Sequence, residues 1–501
     1  MNIKDSDRRD FLKYMSLGLV GGYLTLKTGP SLAQMRSGGG VIDPPPGAVF
    51  QDPVLMPLTR SGNIVDVTIE AKIAPVNING ITANVLTYNG YSPGPTISVE
   101  RGDILRAKFI NSLPLTTQTN TLGYQKNITN LHTHGWHVSP QEPADYILLE
   151  ILPGQTYQHQ FDTALQEGGT LNFYHPHKHG LVAEQVWGGL AGALVVEDET
   201  PVLAGYETHT LILKDISLSN SAPAAFSSMD FQNGKEGNII MVNGQVNPVL
   251  PIQPGQVQRW RILNASNARF YKLGFANNQG GVMYLAGTES GLLDKSYARS
   301  QILLSPGERV EVLVQAGATA GSYKFLSLPY ARRGTTNSAQ ITLLTLSVQG
   351  AAASDILPAA INPNATRLNL DTTSFHKKTL TLSMGQMKAY INGQAFQDGN
   401  PYTINSTLGT YEVWTVKNRT NMDHPFHQHV NAAQVLSITG ADASYPPYAT
   451  LPAWKDTVLV PKNGSVTMLV PVKDYAGTTV FHCHILEHED IGMMGVWQLG
   501  T

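Results

Sequence analysis

Three stretches of the 501-residue chain share one pattern: GDILRAKFIN at 102–111, GQVQRWRILN at 255–264 and GTYEVWTVKN at 409–418. Each runs from a glycine to an asparagine nine residues later, with polar and apolar residues alternating between them. Alternation with a period of two is typical of a β-strand that buries one face. The glycines are 153 and 154 residues apart. Such regular spacing predicts consecutive copies of one β domain.

A second turn signal recurs in each copy, as Pro153-Gly154, as Pro306-Gly307, and as Pro461 followed by Gly464. Charged residues make up only 14% of the chain, which is too few for long surface helices, whereas 47 Gly and 30 Pro favour turns. The sequence therefore predicts an all-β fold of three homologous β-sandwich domains, near residues 50–200, 201–350 and 351–501. The junctions fall at 197–201 and in the Ala/Pro/Asn-rich stretch 350–366.

The first 33 residues have the pattern of a twin-arginine signal peptide. Arg8-Arg9 precedes a 13-residue, weakly apolar stretch at 14–26, and Ser31-Leu32-Ala33 is a small-residue cleavage site. A chance arginine pair before an amphipathic helix is the alternative, but it does not account for the order of the three features. The pattern predicts export to the periplasm or medium, without stable membrane insertion because the apolar stretch is too short. Residues 34–49 are predicted to be a flexible lead-in.

Charge and cysteine content exclude several classes of protein. The net charge of −3 gives no basic footprint, so nucleic-acid binding is not expected. Cys483 is the single cysteine, which excludes an intramolecular disulfide framework and any metal site built only from cysteines.

Twelve of the 15 histidines lie in four short segments. The segments are His132-Thr133-His134-Gly135-Trp136-His137, His175-Pro176-His177-Lys178-His179, His424-Pro425-Phe426-His427-Gln428-His429 and His482-Cys483-His484-Ile485-Leu486-Glu487-His488. Imidazoles packed this densely repel one another when protonated and leave many ring nitrogens to satisfy when neutral. Metal ions resolve both problems. The scattered His159, His209 and His376 are predicted to be ordinary surface or core residues.

The spacing of the histidines adds geometry. Residues i and i+2 of a strand face the same side, so each His-x-His pair can direct two imidazoles to one place, while Cys483 faces away from His482 and His484. A thiolate with imidazoles and a nearby thioether, Met493, is typical of a blue-copper site. Zinc is the alternative metal, but a structural zinc site does not need ten histidines.

With these four histidine segments the chain resembles the multicopper oxidases, the laccase-like family of three cupredoxin domains. The resemblance extends over almost the whole chain after the signal peptide, since Pro93-Gly94-Pro95-Thr96-Ile97 is also typical of the first domain. It implies an all-β fold of three consecutive cupredoxin-like Greek-key β-sandwich domains. The first and third domains would hold copper, and the second would be a copper-free spacer.

The resemblance also implies a ligand set for four copper ions. The type 1 ion would be held by His424, Cys483 and His488, with Met493 as a weak axial ligand, and the type 2 ion by His132 and His427. The type 3 pair would take His134, His177 and His484 together with His175, His429 and His482, with the division of these six between the two ions left open. His137 and His179 fall outside the ligand pattern and are expected beside the ligands or at the surface. Met494 is expected to pack, and Met422 either packs or lies near the type 1 edge.

The implied reaction passes single electrons from a donor through Cys483 to the other three ions, where O₂, four electrons and four protons give two waters. Glu489 matches the proton-relay acid of the family, and Asp145 is a candidate acid for the channel to the type 2 ion. The alternative for both carboxylates is a solvated loop charge.

The axial Met493 favours easily oxidised donors: substituted phenols, aromatic amines or Cu(I). The alternative function is a periplasmic copper-homeostasis protein with secondary laccase activity. The chain lacks the long Met-rich insertion of some copper-defence relatives, which weakens this alternative. A copper nitrite reductase would need two domains and no type 3 pair, and the complete His-x-His pairs argue against it.

Overall fold

The computed structural model describes residues 43–197, 201–385, 387–396 and 399–500. The predicted signal peptide, 1–33, and the first part of the lead-in, 34–42, lie outside the described residues. The described chain consists of short strands joined by turns, with three short α-helices. None of the helices in this part of the chain has the length and apolar character needed to cross a lipid bilayer.

The first domain is built from two sheets. Its strands are β1 (Thr59–Ser61), β2 (Ile64–Ile78), β3 (Ile81–Tyr88), β4 (Gly94–Val99), β5 (Ile104–Asn111), β6 (His132–His134), β7 (Thr156–Asp162), β8 (Thr170–His175) and β9 (Gly192–Val196), with helix α1 (Val182–Gly188) before β9. One sheet has the order β1-β2-β5-β7, with β3 also paired to β2, and the other has the order β4-β9-β8-β6.

The second domain has two larger sheets and a small hairpin. Its strands are β10 (Glu207–Ile216), β11 (Leu218–Ser219), β12 (Ala222–Pro223), β13 (Ile239–Val242), β14 (Val249–Ile252), β15 (Val257–Asn264), β16 (Tyr271–Phe275), β17 (Gly281–Thr288), β18 (Gly291–Arg299), β19 (Gln301–Leu304), β20 (Arg309–Ala316), β21 (Gly321–Leu328) and β22 (Ile341–Val348), with helix α2 (Ser228–Asn233) and 3₁₀ turns at Pro201–Leu203 and Ala276–Asn278. The sheet orders are β13-β10-β15-β20-β17-β18, β14-β22-β21-β16-β19 and β11-β12.

The third domain repeats the two-sheet plan. Its strands are β23 (His376–Gly385), β24 (Lys388–Ile391), β25 (Thr403–Ser406), β26 (Thr410–Asn418), β27 (His424–Gln428), β28 (Gln434–Thr439), β29 (Thr457–Val460), β30 (Ser465–Val472), β31 (Gly477–Cys483) and β32 (Met494–Leu499), with helix α3 (Leu486–Asp490) after β31. The sheet orders are β24-β23-β26-β30-β28 and β25-β32-β31-β27-β29.

The repeated ten-residue pattern occupies the same place in each domain, as β5, β15 and β26. Each of these strands pairs in parallel with the first long strand of its domain and antiparallel with a later one. The preceding glycines, Gly102, Gly255 and Gly409, have φ of 91°, 76° and 76°, a region that other residues adopt at a cost. The three-fold repeat seen in the sequence is therefore a repeat of structure.

The asparagine that ends each copy of the pattern has the same structural role in all three domains. The side-chain amides are buried and each donates to two backbone carbonyls: Asn127 and Ile151 for Asn111, Arg269 and Leu304 for Asn264, Met422 and Val460 for Asn418. Each side-chain oxygen also accepts from the backbone two residues later. A buried amide that satisfies three backbone groups fixes the loop that leaves the strand, because each of those groups would otherwise be costly to bury.

The described part of the predicted lead-in is held against the second domain. Asp43 forms an ion pair of 2.7 Å with Lys324 and accepts from the backbone N–H of Thr342. Val49 pairs in parallel with Val249, extending the sheet at β14. The flexible lead-in over 34–49 stays a prediction, and Asp43 and Val49 are two of its described contacts with the second domain.

Candidate metal centres

Strand register brings the four histidine segments together. In the first domain β6 pairs with β8, which sets His132 directly opposite His175. In the third domain β27 pairs with β31, which sets His427 opposite His482 and Phe426 opposite Cys483. Each pairing joins two segments that are far apart in the chain.

Eight histidines, four from each of these domains, form one buried group that we call the eight-histidine cluster: His132, His134, His175, His177, His427, His429, His482 and His484. The Nε2 atom of His482 lies 3.1 Å from that of His177 and 3.2 Å from that of His429. The imidazoles of His134 and His427 stack with ring centres 3.7 Å apart.

The donor atoms of the cluster converge in small sets. Three sets of three lie within 4.8 Å of one another: His132 with His134 and His175, His132 with His427 and His429, and His177 with His429 and His482. The last set joins three of the six histidines whose division the family resemblance left open. The strand β8 ends at His175, and the turn after it directs His177 toward β31.

The protonation state of the cluster suits metal binding. Burial, followed by the neighbouring imidazoles, holds the pKa of His134, His175, His177, His429 and His484 well below the usual value, and burial lowers the pKa of His427 to about 4. Neutral imidazoles offer lone pairs. Ring nitrogens of His132, His175, His427 and His484 are buried without a hydrogen-bond partner. Orphaned buried donors of this kind fit a set of metal ions.

A second group, the Cys483 cluster, consists of His424, Cys483, His488 and Met493. The Nδ1 atoms of His424 and His488 lie 3.4 Å and 3.8 Å from the Cys483 sulfur and 3.2 Å from each other. Met493 is fully buried, and its carbonyl accepts from the Cys483 backbone N–H.

Without a metal ion, burial disfavours the charged forms of the side chains in the Cys483 cluster. It raises the pKa of the Cys483 thiol and lowers the pKa of His424 to about 3. Such a site holds a neutral thiol and neutral imidazoles, and a soft metal ion would convert the thiol into a thiolate ligand. The Nε2 atom of His424 is fixed by the Thr420 hydroxyl at 2.8 Å, which leaves Nδ1 directed at the sulfur.

The two predicted acids both lie against the eight-histidine cluster. Asp145 is buried, with one oxygen 2.8 Å from His132 Nδ1 and the other accepting from the Thr133 backbone N–H. Glu489 is fully buried in α3, with its oxygens 3.2 Å from His482 Nδ1 and 3.6 Å from His177 Nδ1. Neither carboxylate is a solvated loop charge.

A third carboxylate, Asp456, was not predicted. It lies 3.2 Å from His134 Nε2 and 3.4 Å from His427 Nδ1, just before β29. The signal available in the sequence is Lys455-Asp456, a charged pair in an otherwise uncharged run before an apolar strand. Buried charges need partners, and here the partner comes from another domain.

That partner is Arg309 of the second domain. All five of its N–H groups have acceptors: both oxygens of Asp456, the side chain of Asn172, and the backbone carbonyls of Leu171 and Gly307. One guanidinium therefore joins all three domains beside the eight-histidine cluster.

Two glycines make room for this contact. Gly135, which directly follows His134, has φ of 94°, and a side chain there would overlap the Arg309 guanidinium. Gly307, at the predicted turn of the second domain, has φ of 79°, and a Cβ there would lie 2.8 Å from the His484 ring. The second domain thus touches the cluster, although none of the convergent donor sets found in the described ranges includes one of its residues.

The other histidines take supporting or unrelated positions. His137 binds the Val430 carbonyl and Asp474, and His179 lies partly buried between Tyr124 and Phe396. His159 binds the Ala144 carbonyl, His209 pairs with Asp52, and His376 is exposed. Met494 packs on Ile147 and Val480, and the buried Met422 sulfur lies 3.6 Å from Arg332 Nη1.

Comparison with known proteins agrees with the fold. Three family models described as multicopper oxidase match residues 70–201, 206–351 and 364–500. A multicopper oxidase from Staphylococcus aureus is 30% identical over 424 residues, covering 83% of this chain and 84% of that protein. A laccase from Bacillus subtilis is 27% identical over 470 residues, covering 81% and 88%.

Solved structures show the same architecture. A multicopper oxidase from Campylobacter jejuni, described as a metallo-oxidase, superimposes with a TM-score of 0.78 at 28% identity, covering 92% of this chain and 97% of that one. The predicted fold of three cupredoxin-like Greek-key sandwiches is confirmed. Together with the two buried donor clusters, these matches identify the chain as an oxidase enzyme that belongs to the multicopper oxidase family.

Proposed function

We propose that this oxidase couples one-electron oxidation of a donor at the Cys483 cluster to four-electron reduction of O₂ to water at the eight-histidine cluster. The placement of Cys483 carries the proposal. Its sulfur faces His424 and His488, while its two chain neighbours, His482 and His484, belong to the other cluster. One residue therefore links the two sites through a short covalent path.

The donor sets support four copper ions: one type 1, one type 2 and two type 3. The type 1 ion would be held by His424, Cys483 and His488 with Met493, and the type 2 ion by His132 and His427. One type 3 ion would take His177, His429 and His482, whose donor atoms converge. The remaining His134, His175 and His484, with ring centres 4.8 to 5.7 Å apart, would hold the other.

Copper, when bound, supplies the one-electron chemistry and the binding of O₂. The chain's own residues hold the imidazoles and manage protons. The carboxylates of Asp145 and Asp456 fix the ring orientation of His132 and His134 through hydrogen bonds, as carboxylates commonly do for metal-binding histidines, and the Asp456 backbone carbonyl does the same for His427. Glu489, buried beside His482 and His177, is placed to hold a proton next to the site where oxygen is consumed.

A cavity of about 240 Å³ beside the Cys483 cluster is the candidate donor site. Its lining includes Phe270, Tyr330 and Arg332, and Arg332 contacts the sulfur of Met422, two residues before His424. An aromatic wall with a buried guanidinium suits a phenol or aromatic amine. The thioether of Met422 suits Cu(I), so the copper-homeostasis alternative is retained as the second candidate.

Oxygen consumption by the copper-loaded protein tests the proposal. We expect uptake with a substituted phenol, an aromatic amine and Cu(I), and the ratio of their kcat/KM values separates the two candidates. A preference for Cu(I) over every organic donor would favour copper homeostasis. No uptake with any donor would overturn the proposed reaction.

We also propose that residues 1–33 direct export by the twin-arginine route to the periplasm or medium. The order of Arg8-Arg9, apolar stretch and cleavage site supports this. Replacement of both arginines by lysine should leave the protein in the cytoplasm, as measured by cell fractionation. Unchanged export of that variant would contradict the route.

A further inference from the structure

A cavity lies where the three domains meet. It has a volume of about 170 Å³, enough for several waters. Its lining includes the exposed Glu167 and Lys473 and, at the other extreme, the buried His132 and His427. The cavity therefore connects solvent with the eight-histidine cluster.

The second domain contributes one acid to this cavity, Glu289. It lies at the tip of the hairpin between β17 and β18, and the neighbouring Thr288 hydroxyl donates to the Trp454 carbonyl of the third domain at 2.8 Å. Glu289 is 1% exposed and lines the cavity. One carboxylate oxygen accepts from Lys455 Nζ at 2.9 Å, and the other is buried without a partner.

The charged groups around Glu289 favour it as the acid that exchanges a proton. Lys455 also pairs with Glu308 at 2.9 Å, so one ammonium faces two carboxylates. Burial raises the pKa of Glu289 to about 7, with Lys455 opposing the rise and Asp456 adding to it. Arg309 and Glu308 act more weakly, and the cavity itself also holds His137, Glu167 and Lys473.

Three other carboxylates near this cavity have hydrogen-bond partners on both oxygens, and Glu489 lies outside the cavity lining. Both oxygens of Asp145 accept hydrogen bonds, and Asp145 does not line the cavity. Both oxygens of Asp456 bind Arg309. Glu308 accepts from Ser305 and Tyr445 and lies outside the cavity lining. Glu289 alone among these four carboxylates combines a place in the lining with a free oxygen.

We propose that Glu289 relays protons from solvent through this cavity to the eight-histidine cluster during O₂ reduction. This inference rests on the proposed function, because that reaction consumes four protons for each O₂ and yields two waters. Glu289 in its acid form gives one proton to a cavity water, becomes a carboxylate paired with Lys455, and regains a proton from solvent through the mouth at Glu167 and Lys473.

Two variants of the same buried cluster test the relay: Glu289→Gln and, as a matched control, Glu308→Gln. Both remove a carboxylate from Lys455, but only the first removes an acid from the cavity. In the copper-loaded protein, infrared spectroscopy should detect a protonated carboxyl that titrates near pH 7. The band should disappear in Glu289→Gln and persist in Glu308→Gln.

Steady-state rates give the second readout. Glu289→Gln should lower kcat about tenfold, increase the solvent deuterium isotope effect and remove the decline of rate above pH 7, with copper content and blue absorption unchanged. If Glu289→Gln fails to fold, Glu289→Asp, which keeps the acid, should retain the infrared band. The relay would be overturned if both glutamine variants kept the infrared band. Equal kinetic effects in the two variants would also overturn it.

The two proposals can fail separately. Absence of O₂ uptake in the wild-type protein would overturn the proposed reaction, and the relay with it. A fully active wild-type protein whose Glu289→Gln variant keeps the same pH profile would overturn only the relay.

Discussion

The Cys483 cluster and the eight-histidine cluster are adjacent yet built differently. Every member of the first belongs to the third domain, whereas the second takes four histidines from the first domain and four from the third. Among the described residues, His424 and His488 have no carboxylate partner, and Arg332 lies near them. The eight-histidine cluster contacts Asp145, Asp456 and Glu489.

In the reaction proposed above, this difference would separate the handling of electrons from the handling of protons. A buried site without acids can change charge by one electron without taking up a proton. A site surrounded by carboxylates can supply the protons that oxygen reduction consumes. The second domain reaches both clusters with different residues: Arg309 and Gly307 lie at the eight-histidine cluster, and Arg332 lies near the Cys483 cluster.

The largest effect is expected from Cys483→Ser. Removal of the thiolate breaks the link between the clusters, so blue absorption should vanish and kcat should fall at least about 1,000-fold, which is ~4 kcal/mol. Optical spectra, copper analysis and O₂ uptake measure this. Turnover that survives with copper retained in the eight-histidine cluster would refute the electron path through Cys483.

Arg309→Met should act on only one cluster. It leaves Asp456 buried without its ion pair, which should lower the free energy of unfolding by about 3–5 kcal/mol. Copper should be lost from the eight-histidine cluster while blue absorption remains, as measured by denaturation and metal analysis. Arg259→Met is the matched control, since its ion pair with Glu311 lies within the second domain. Equal copper loss in both variants would contradict the special place of Arg309.

Glu489→Gln should slow oxygen reduction without changing the Cys483 cluster. We expect kcat to fall about 100-fold, because a buried acid beside His482 and His177 is lost, with blue absorption unchanged. Glu487→Gln, two residues earlier in α3 and equally buried, is the control and should alter kcat much less. A stronger effect of Glu487→Gln would exclude Glu489 as the proton donor.

The smallest effect should come from Met493→Leu. Loss of a weak axial thioether should raise the reduction potential of the type 1 site and change kcat by less than about tenfold. Met494→Leu is the control, because Met494 packs on Ile147 and Val480. Redox titration followed by blue absorption distinguishes them, and identical potentials for both variants would remove Met493 from the ligand set.

Local patterns allowed much of the fold and site to be predicted. The Gly-to-Asn repeat identified β5, β15 and β26 because strand alternation and turn glycines act within ten residues. The histidine segments identified the donors because i and i+2 positions share a face. Asp456, Arg309 and Glu289 could not be found in this way, since each has a decisive partner in another domain.

The sequence by itself predicted the all-β fold and the four histidine segments beside one cysteine, and its resemblance to the multicopper oxidases implied the ligand set and the oxidase chemistry. The fold and the histidine segments were recognised from spacing within short stretches, where backbone geometry decides which side chains share a face. Only the tertiary structure decided how His177 is grouped, which carboxylates face the cluster and how the second domain takes part. These three features depend on contacts between domains. Burial in those contacts makes an unpaired charge, or an oxygen without a hydrogen-bond partner, energetically costly.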